Sequence, residues 1–142
     1  MSANNSERRD SVRFSGQVSP DDTETLTKTV QEPATVEEVS VRFYAGPRLD
    51  LEVVPFVDVG ESSQSNRIPL IDFRGKQYVD GDDDYWIFPV SESIERDDTL
   101  GVEVRNVDSS NAYDFSVDVV VDRAGGTQRA ASSLFDSIRG VF

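Results

Sequence analysis

The sequence contains no cysteine and no histidine. Disulfides, thiolate nucleophiles and the usual cysteine–histidine zinc sites are therefore excluded, and so is the side chain that most often acts as a general base at neutral pH. A G-x-S-x-G motif, a phosphate-binding P-loop and the glycine pattern of dinucleotide-binding proteins are also missing. We predict that the protein is not an enzyme and has no catalytic residues.

Basic residues and long apolar runs are also scarce. Lys and Arg number 14 against 27 Asp and Glu, which gives a formal net charge of -13. The phosphate backbone of a nucleic acid would be repelled by this charge, so we predict no nucleic-acid partner. No apolar run approaches the ~18 residues of a membrane span, and the first ten residues are polar where a signal peptide needs an apolar stretch. We expect the mature protein to begin at its own start codon, inside a cell.

The choice among charged residues is unusual. Of the 14 basic residues, only Lys28 and Lys76 are lysines, and Asp and Glu make up about a fifth of the chain. This composition resembles that of proteins from salt-in halophilic archaea. At molar salt the Debye length falls to about 3 Å, which screens carboxylate repulsion while the acidic surface keeps the protein hydrated. On this interpretation the net charge indicates a habitat rather than a partner, whereas an ordinary acidic protein is the alternative.

Most of the chain shows the period of two that is typical of half-buried strands. The segment 49–57 contains Pro55, which favours an edge position or a bulge. The segments 99–105 and 113–122 flank the turn at 106–111 and are predicted to form the longest hairpin, with one face on the core. The predicted strands are 11–18, 24–31, 36–44, 49–57, 68–73, 77–79, 85–90, 99–105 and 113–122.

Eight or nine short strands with no helix between them predict an all-β protein, an antiparallel β-sandwich of jelly-roll or immunoglobulin-like topology. The length of 142 residues corresponds to one ordinary domain. We predict three parts, which are a polar N-terminal arm (1–10), the β-sandwich domain (11–123) and a C-terminal extension (124–142).

The C-terminal extension departs from the strand pattern. It opens with Ala124-Gly125-Gly126, predicted to be a hinge, and then carries apolar residues at the spacing of a short amphipathic helix. This helix is predicted either to cover an open end of its own sandwich or to dock onto another subunit or a lipid surface. The residues predicted to bind a partner are Leu134, Phe135, Ile138 and Phe142 on the apolar face, with Arg129 and Arg139 on the polar face.

An acidic turn is the one candidate for a metal site. Asp80, Asp82, Asp83 and Asp84 place four carboxylates within five residues, a spacing that offers Ca²⁺ several oxygen ligands. The loop is not an EF-hand, because its glycine and its bidentate glutamate are both missing. An exposed turn that attracts Na⁺ or K⁺ explains the cluster equally well, and we predict no other cofactor.

Aromatic residues cluster at Tyr85, Trp86 and Phe88. Aromatic rows on a sandwich sometimes stack on sugars, but Trp86 and Phe88 share one face of their strand while Tyr85 points the other way. This alternation favours packing of Trp86 and Phe88 in the core.

The layout of the chain resembles that of small virion proteins of haloarchaeal viruses. The resemblance covers roughly residues 20–126 and is carried by three stretches, 33–51, 78–84 and 106–126, together with the acidic composition. It implies a single jelly-roll capsid or penton component, or a capsid-decorating or turret protein. It implies a location in the virion after assembly in the host cytoplasm, and as partners further copies of the chain and other virion proteins.

The short chain favours a minor capsid, vertex or decorating subunit over a major capsid protein. In a virion with an internal membrane, the C-terminal helix would contact lipid. The alternative is a non-catalytic β-sandwich module of a halophilic archaeon that binds carbohydrate or protein.

Overall fold

The computed structural model describes residues 9–59 and 66–123. These ranges contain eight β-strands and no helix. The strands are β1 (Arg9–Val18), β2 (Thr23–Thr29), β3 (Ala34–Phe43), β4 (Leu51–Asp58), β5 (Arg67–Pro69), β6 (Tyr85–Ile94), β7 (Thr99–Asn106) and β8 (Tyr113–Asp122).

The strands form two four-stranded antiparallel sheets, with the orders β1-β8-β3-β6 and β2-β7-β4-β5. Pairing is nested, since the first strand pairs with the eighth, the second with the seventh, the third with the sixth and the fourth with the fifth. The pairs β3–β8 and β4–β7 then join these hairpin-like units into sheets. The predicted all-β sandwich is confirmed.

The core lies between the two sheets and is built largely from valine and phenylalanine. Alternate residues of each strand point inward, as the period of two predicts. Stiff β-branched side chains suit this position because they lose little rotamer freedom on the pleated surface. Fully buried side chains include Phe43, Phe115, Leu51, Val18, Val39, Val41, Val53 and Val102.

The predicted hairpin of β7 and β8 is wrong in its pairing. Both strands exist and both face the common core, but β7 pairs with β2 and β4, whereas β8 pairs with β1 and β3. The connection 107–112 therefore crosses from one sheet to the other. Alternation of apolar residues shows which face of a strand is buried, and it carries no information on which strand lies beside it.

Two further expectations for strands are corrected. Residues 77–79 form no strand, and Val79 makes only an isolated bridge to Val53. The strand that contains Pro55 lies inside its sheet rather than at an edge. The carbonyl of Pro55 accepts a hydrogen bond from the Leu70 amide, on the side of β4 away from β7. In an antiparallel strand the N–H and the carbonyl of one residue point to the same side, so the N–H that proline lacks would not have bonded to β7.

The two ends of the described body lie side by side. Arg9 is paired with Asp122, so β1 reaches two residues into the predicted arm 1–10. Residues 1–8 and the predicted helix with its hinge at 124–142 lie outside the described residues. Both extensions therefore leave the sandwich from the same corner.

Candidate interaction surfaces

The acidic turn is held by its own carboxylates. Asp82 Oδ1 accepts a hydrogen bond from the Gly46 amide at 2.7 Å, and Asp84 Oδ2 accepts one from the Asp82 amide at 2.8 Å. Asp83 has a φ of 50°, in the left-handed region that aspartate tolerates in turns. These contacts join the turn before β6 to the loop after β3.

In the described part of the chain, no group of three or more acidic, histidine or cysteine side chains converges in a way that would hold a metal ion. The hypothesis of a Ca²⁺ or monovalent-cation site at Asp80, Asp82, Asp83 and Asp84 gains no support from this geometry.

Trp86 and Phe88 pack against the core, as predicted. The Phe73 ring lies edge-on to both, with centroid distances of 5.0 Å to Trp86 and 6.0 Å to Phe88. Both residues are partly buried on the inner face of β6. They stabilise the edge of the sandwich and are not available as a flat platform for sugar.

The outer face of the same strand carries an exposed apolar patch. Tyr85 and Ile87 have 53% and 54% of their surface exposed, and Tyr44, just after β3, has 44%. Arg42 lies opposite Tyr85 across the β3–β6 pair, and its guanidinium carbon is 5.6 Å from the centre of the Tyr44 ring. We call Arg42, Tyr44, Tyr85 and Ile87 the outer patch. Tyrosine, arginine and aliphatic side chains together are typical of protein interfaces.

A basic residue borders the outer patch on β1. Arg13 forms a two-bond ion pair with Asp118, at 2.8 and 3.0 Å, and this pairing raises the pKa of Arg13. Sequence reasoning placed Tyr85 on the outward face, but it missed the outer patch. Tyr44 and Ile87 are 43 residues apart in sequence, and only the pairing of β3 with β6 brings the end of β3 close to Ile87.

An apolar groove opens at the corner where the chain ends leave the sandwich. It encloses about 220 Å³ and is lined by residues of six strands and of the β2–β3 connection. We call it the end groove. Its apolar lining consists of Val12, Val30, Ala34, Ile94, Leu100 and Val121, and its charged rim consists of Asp10, Lys28, Glu32 and Arg123.

The residues predicted to bind a partner, Leu134, Phe135, Ile138, Phe142, Arg129 and Arg139, lie outside the described residues. Within residues 9–59 and 66–123 there is no helix long and apolar enough to span a membrane.

The densest polar cluster of the described body surrounds Asp108, in the crossing between β7 and β8. The Tyr113 hydroxyl and the Asn111 side-chain amide both donate to Asp108 Oδ2, while the Ser110 amide donates to Oδ1 at 2.8 Å. These donors, with the Tyr113 hydroxyl first, lower the pKa of Asp108 to about 2. The same bond raises the pKa of Tyr113. The cluster fixes the crossing through four hydrogen bonds to the Asp108 carboxylate.

This cluster gives the first prediction. The Tyr113→Phe substitution removes the main donor, so the pKa of Asp108 should rise from about 2 toward the ordinary value of 3.8. A lowered carboxyl pKa contributes stability that is present above the unfolded-state value and is lost as the pH falls through the folded value. The variant should therefore be less stable than the parent above pH ~4, and this difference should disappear below pH ~2.

The measurement is an NMR titration of the Asp108 carboxyl carbon together with unfolding at several pH values. Tyr85→Phe is the matched control, because the Tyr85 hydroxyl is exposed and lies outside the cluster. An unchanged Asp108 pKa in Tyr113→Phe would show that the backbone donors alone set it.

Comparison with known proteins gives similarity of fold only. No known protein family matches the sequence, and no curated protein matches it. The structure is similar to the Yersinia pseudotuberculosis-derived mitogen, with a TM-score of 0.50 and 13% identity over 82% of this chain and 89% of that one.

Weaker similarities extend to two other kinds of protein. A chain in the structure of infectious bursal disease virus, Gx strain, gives a TM-score of 0.44 and 10% identity over 84% of this chain and 33% of that one. A family 16 carbohydrate-binding module gives a TM-score of 0.36 and 16% identity over 75% of this chain and 74% of that one. The protein is thus an antiparallel β-sandwich.

Proposed function

We propose that this protein is a non-catalytic structural subunit of a haloarchaeal virus particle, in a minor capsid, vertex or decorating position. It assembles with copies of itself and with other virion proteins, in the host cytoplasm, through its terminal extensions and the outer patch. The observation that carries the proposal is the outer patch, an exposed apolar surface on a rigid sheet of a very acidic protein.

The strand order supports a jelly roll rather than an immunoglobulin-like sandwich. The orders β1-β8-β3-β6 and β2-β7-β4-β5 arise when β1 to β4 pair with β8 to β5 as one long antiparallel hairpin. This long hairpin then folds over on itself to give the two sheets. Immunoglobulin domains instead use the orders ABED and CFG. Jelly rolls are common in viral capsids and in lectins, so this topology is compatible with both a structural and a binding role.

The outer patch is suited to contact with another protein. Its tyrosines and its arginine are residue types that concentrate binding energy in interfaces. At low ionic strength the net charge of -13 opposes association of two copies. At molar salt the repulsion is screened within about 3 Å, while burial of apolar surface is undiminished. Assembly should therefore require high salt.

The test is a change of charge on the outer patch. The double variant Tyr85→Asp and Ile87→Asp should convert a discrete oligomer in about 3 M KCl into a monomer, because two carboxylates would have to be buried without partners. Light scattering measures the mass, and co-purification with virus particles measures incorporation.

The matched control adds the same charges to the same face of the same strand. Ser91 and Ser93 are exposed on the outer face of β6, away from the outer patch. The variant Ser91→Asp with Ser93→Asp should assemble like the parent chain. If the outer-patch variant also assembles and enters particles normally, the proposed role of this surface is wrong.

A second candidate function is a carbohydrate-binding or protein-binding module of a halophilic archaeon. The observation in its favour is that Tyr44 and Tyr85 are both exposed beside an arginine, an arrangement that can stack on sugar rings. Saturable binding on a glycan array that is lost in Tyr44→Ala and Tyr85→Ala, by a chain that stays monomeric in high salt, would favour the module over the virion subunit.

A further inference from the structure

The end groove is an opening into the core at the place where the described chain stops. Arg123, the last described residue, forms part of its rim. Leu100 and Val121, which are buried core residues, form part of its wall. A folded β-sandwich would be stabilised by covering this opening, because apolar surface there would be removed from water.

The sequence after Arg123 has the chemistry to cover it. Nineteen residues follow, and they include Leu134, Phe135, Ile138 and Phe142 at the spacing of one helical face. An apolar cavity of about 150 Å³ accommodates a benzene molecule, so the 220 Å³ of the end groove has room for the Phe135 ring and part of a second side chain.

The rim carries two acidic residues, Asp10 and Glu32, and two basic ones, Lys28 and Arg123, so pairing with the segment depends on individual residues and not on net charge. Exposed Asp10 and Glu32 lie on the rim, and the segment carries Arg129 and Arg139. Lys28, also exposed on the rim, can face Asp136, the one acidic residue of the segment. Exposed ion pairs add little to stability, so these pairs set the orientation of the segment while the apolar contacts provide most of the stability.

We propose that residues 127–142 of the same chain occupy the end groove in the free subunit. Attachment at Arg123 gives the segment an effective concentration in the millimolar range, which favours its own groove over that of a second copy. The eleven residues from Arg123 to Leu134 can span about 36 Å when extended, and Gly125-Gly126 permits the chain to reverse. The proposal goes beyond the assembly function and does not depend on it.

The absence of native cysteine makes a cross-linking test unambiguous. The full chain with Gln31→Cys on the groove lining and Ser133→Cys beside Leu134 should form a disulfide within one chain on oxidation at low protein concentration. The product should run as a monomer on a non-reducing gel, and mass spectrometry should identify the internal link. The control pairs Ser133→Cys with Ser91→Cys, which is exposed on β6 and does not line the groove. It should oxidise at least several-fold more slowly.

A second measurement avoids cross-linking altogether. In the full chain with Phe135→Asp and Ile138→Asp, the methyl NMR signals of Leu100 and Val121 should shift, while the indole signal of Trp86 should not, because Trp86 does not line the groove. Unmoved Leu100 and Val121 signals, or equal oxidation of both cysteine pairs, would overturn the proposal. A disulfide between two chains would also overturn it, since the segment would then occupy a second copy. None of these results depends on whether the outer-patch variant assembles.

Discussion

The Asn106→Asp substitution is expected to lower the free energy of unfolding by about 3 kcal/mol at neutral pH, because it places a carboxylate against three carbonyl oxygens. Asn106 is 2% exposed, and its Nδ2 donates to the carbonyl oxygens of Val18 and Ser19, both at 3.2 Å, and of Asn111 at 2.8 Å. Its Oδ1 accepts from the Asp108 amide at 2.9 Å. This one side chain thus joins the β1–β2 turn to the crossing that connects the two sheets.

The loss should depend on pH in a defined direction. Burial against carbonyl oxygens favours the neutral acid, so the pKa of the new carboxyl in the folded state should lie above its unfolded value of about 3.9. A raised carboxyl pKa means that stability falls as the pH rises from the unfolded value through the folded one. Urea unfolding near pH 4 and near pH 7 should therefore show a larger deficit at the higher pH.

The control for this experiment is Asn66→Asp, the same chemical change at an exposed position. It should alter the stability by no more than about 0.5 kcal/mol. An equal deficit for Asn106→Asp at both pH values would mean that lost hydrogen bonds alone, and not the buried charge, cause the destabilisation.

The Gly101→Val substitution is expected to destabilise the protein by about 2–3 kcal/mol through overpacking. Gly101 lies opposite Phe56 across the β4–β7 pair, on the outer face of the second sheet. A Cβ added at Gly101 would lie 2.5 Å from Phe56 Cζ and 2.9 Å from Phe56 Cε2, which is closer than carbon atoms can approach. The Phe56 ring would therefore have to leave its place.

Displacing Phe56 would also expose it to water. Phe56 is only 1% exposed, and the guanidinium carbon of Arg67 lies 4.1 Å from the centre of its ring. Arg67 is held there by an ion pair with Glu103 at 2.8 Å. Loss of a buried phenylalanine side chain commonly costs about 3–5 kcal/mol of stability. Displacement of Phe56 is therefore sufficient to explain the expected loss in the Gly101→Val variant.

Thermal unfolding followed by circular dichroism measures this effect. Gly16→Ala is the matched control, since Gly16 also lies in a strand but a Cβ there would meet Phe115 at an ordinary 3.6 Å. It should be neutral or slightly stabilising, because alanine reduces the entropy of the unfolded chain. A melting temperature of Gly101→Val equal to that of the parent would contradict the packing argument.

The sequence predicted the strands better than their arrangement. Inward residues such as Phe115, Val117 and Val119 follow a period of two, and this pattern depends only on the local geometry of the strand. Pairing depends on contacts far apart in sequence, which is why β7 and β8 were wrongly predicted to form one hairpin. The burial of Phe56 on an outer face was equally inaccessible, because it depends on a glycine 45 residues away.

The candidate surfaces also divide into features that depend on local alternation and features that depend on contacts between distant residues. Alternation in β6 was sufficient to assign Tyr85 outward and Trp86 inward. The outer patch required the β3–β6 register, and the end groove required six strands and one connection to meet at a corner. The sequence showed four carboxylates close together in the acidic turn, but it did not show that two of them accept backbone hydrogen bonds, one from within the turn and one from the loop after β3.

The pairing of Arg9 with Asp122 determines how the sandwich responds to mechanical load. Because β1 and β8 are antiparallel, a force that pulls both ends of the body apart acts on one pair of residues at a time, starting at that corner. The strands then separate progressively, toward Val18, instead of resisting together in shear. A shell that anchored the two extensions to different neighbours would load each subunit along its weakest direction, whereas anchoring both extensions to one neighbour would keep the tension out of the sandwich.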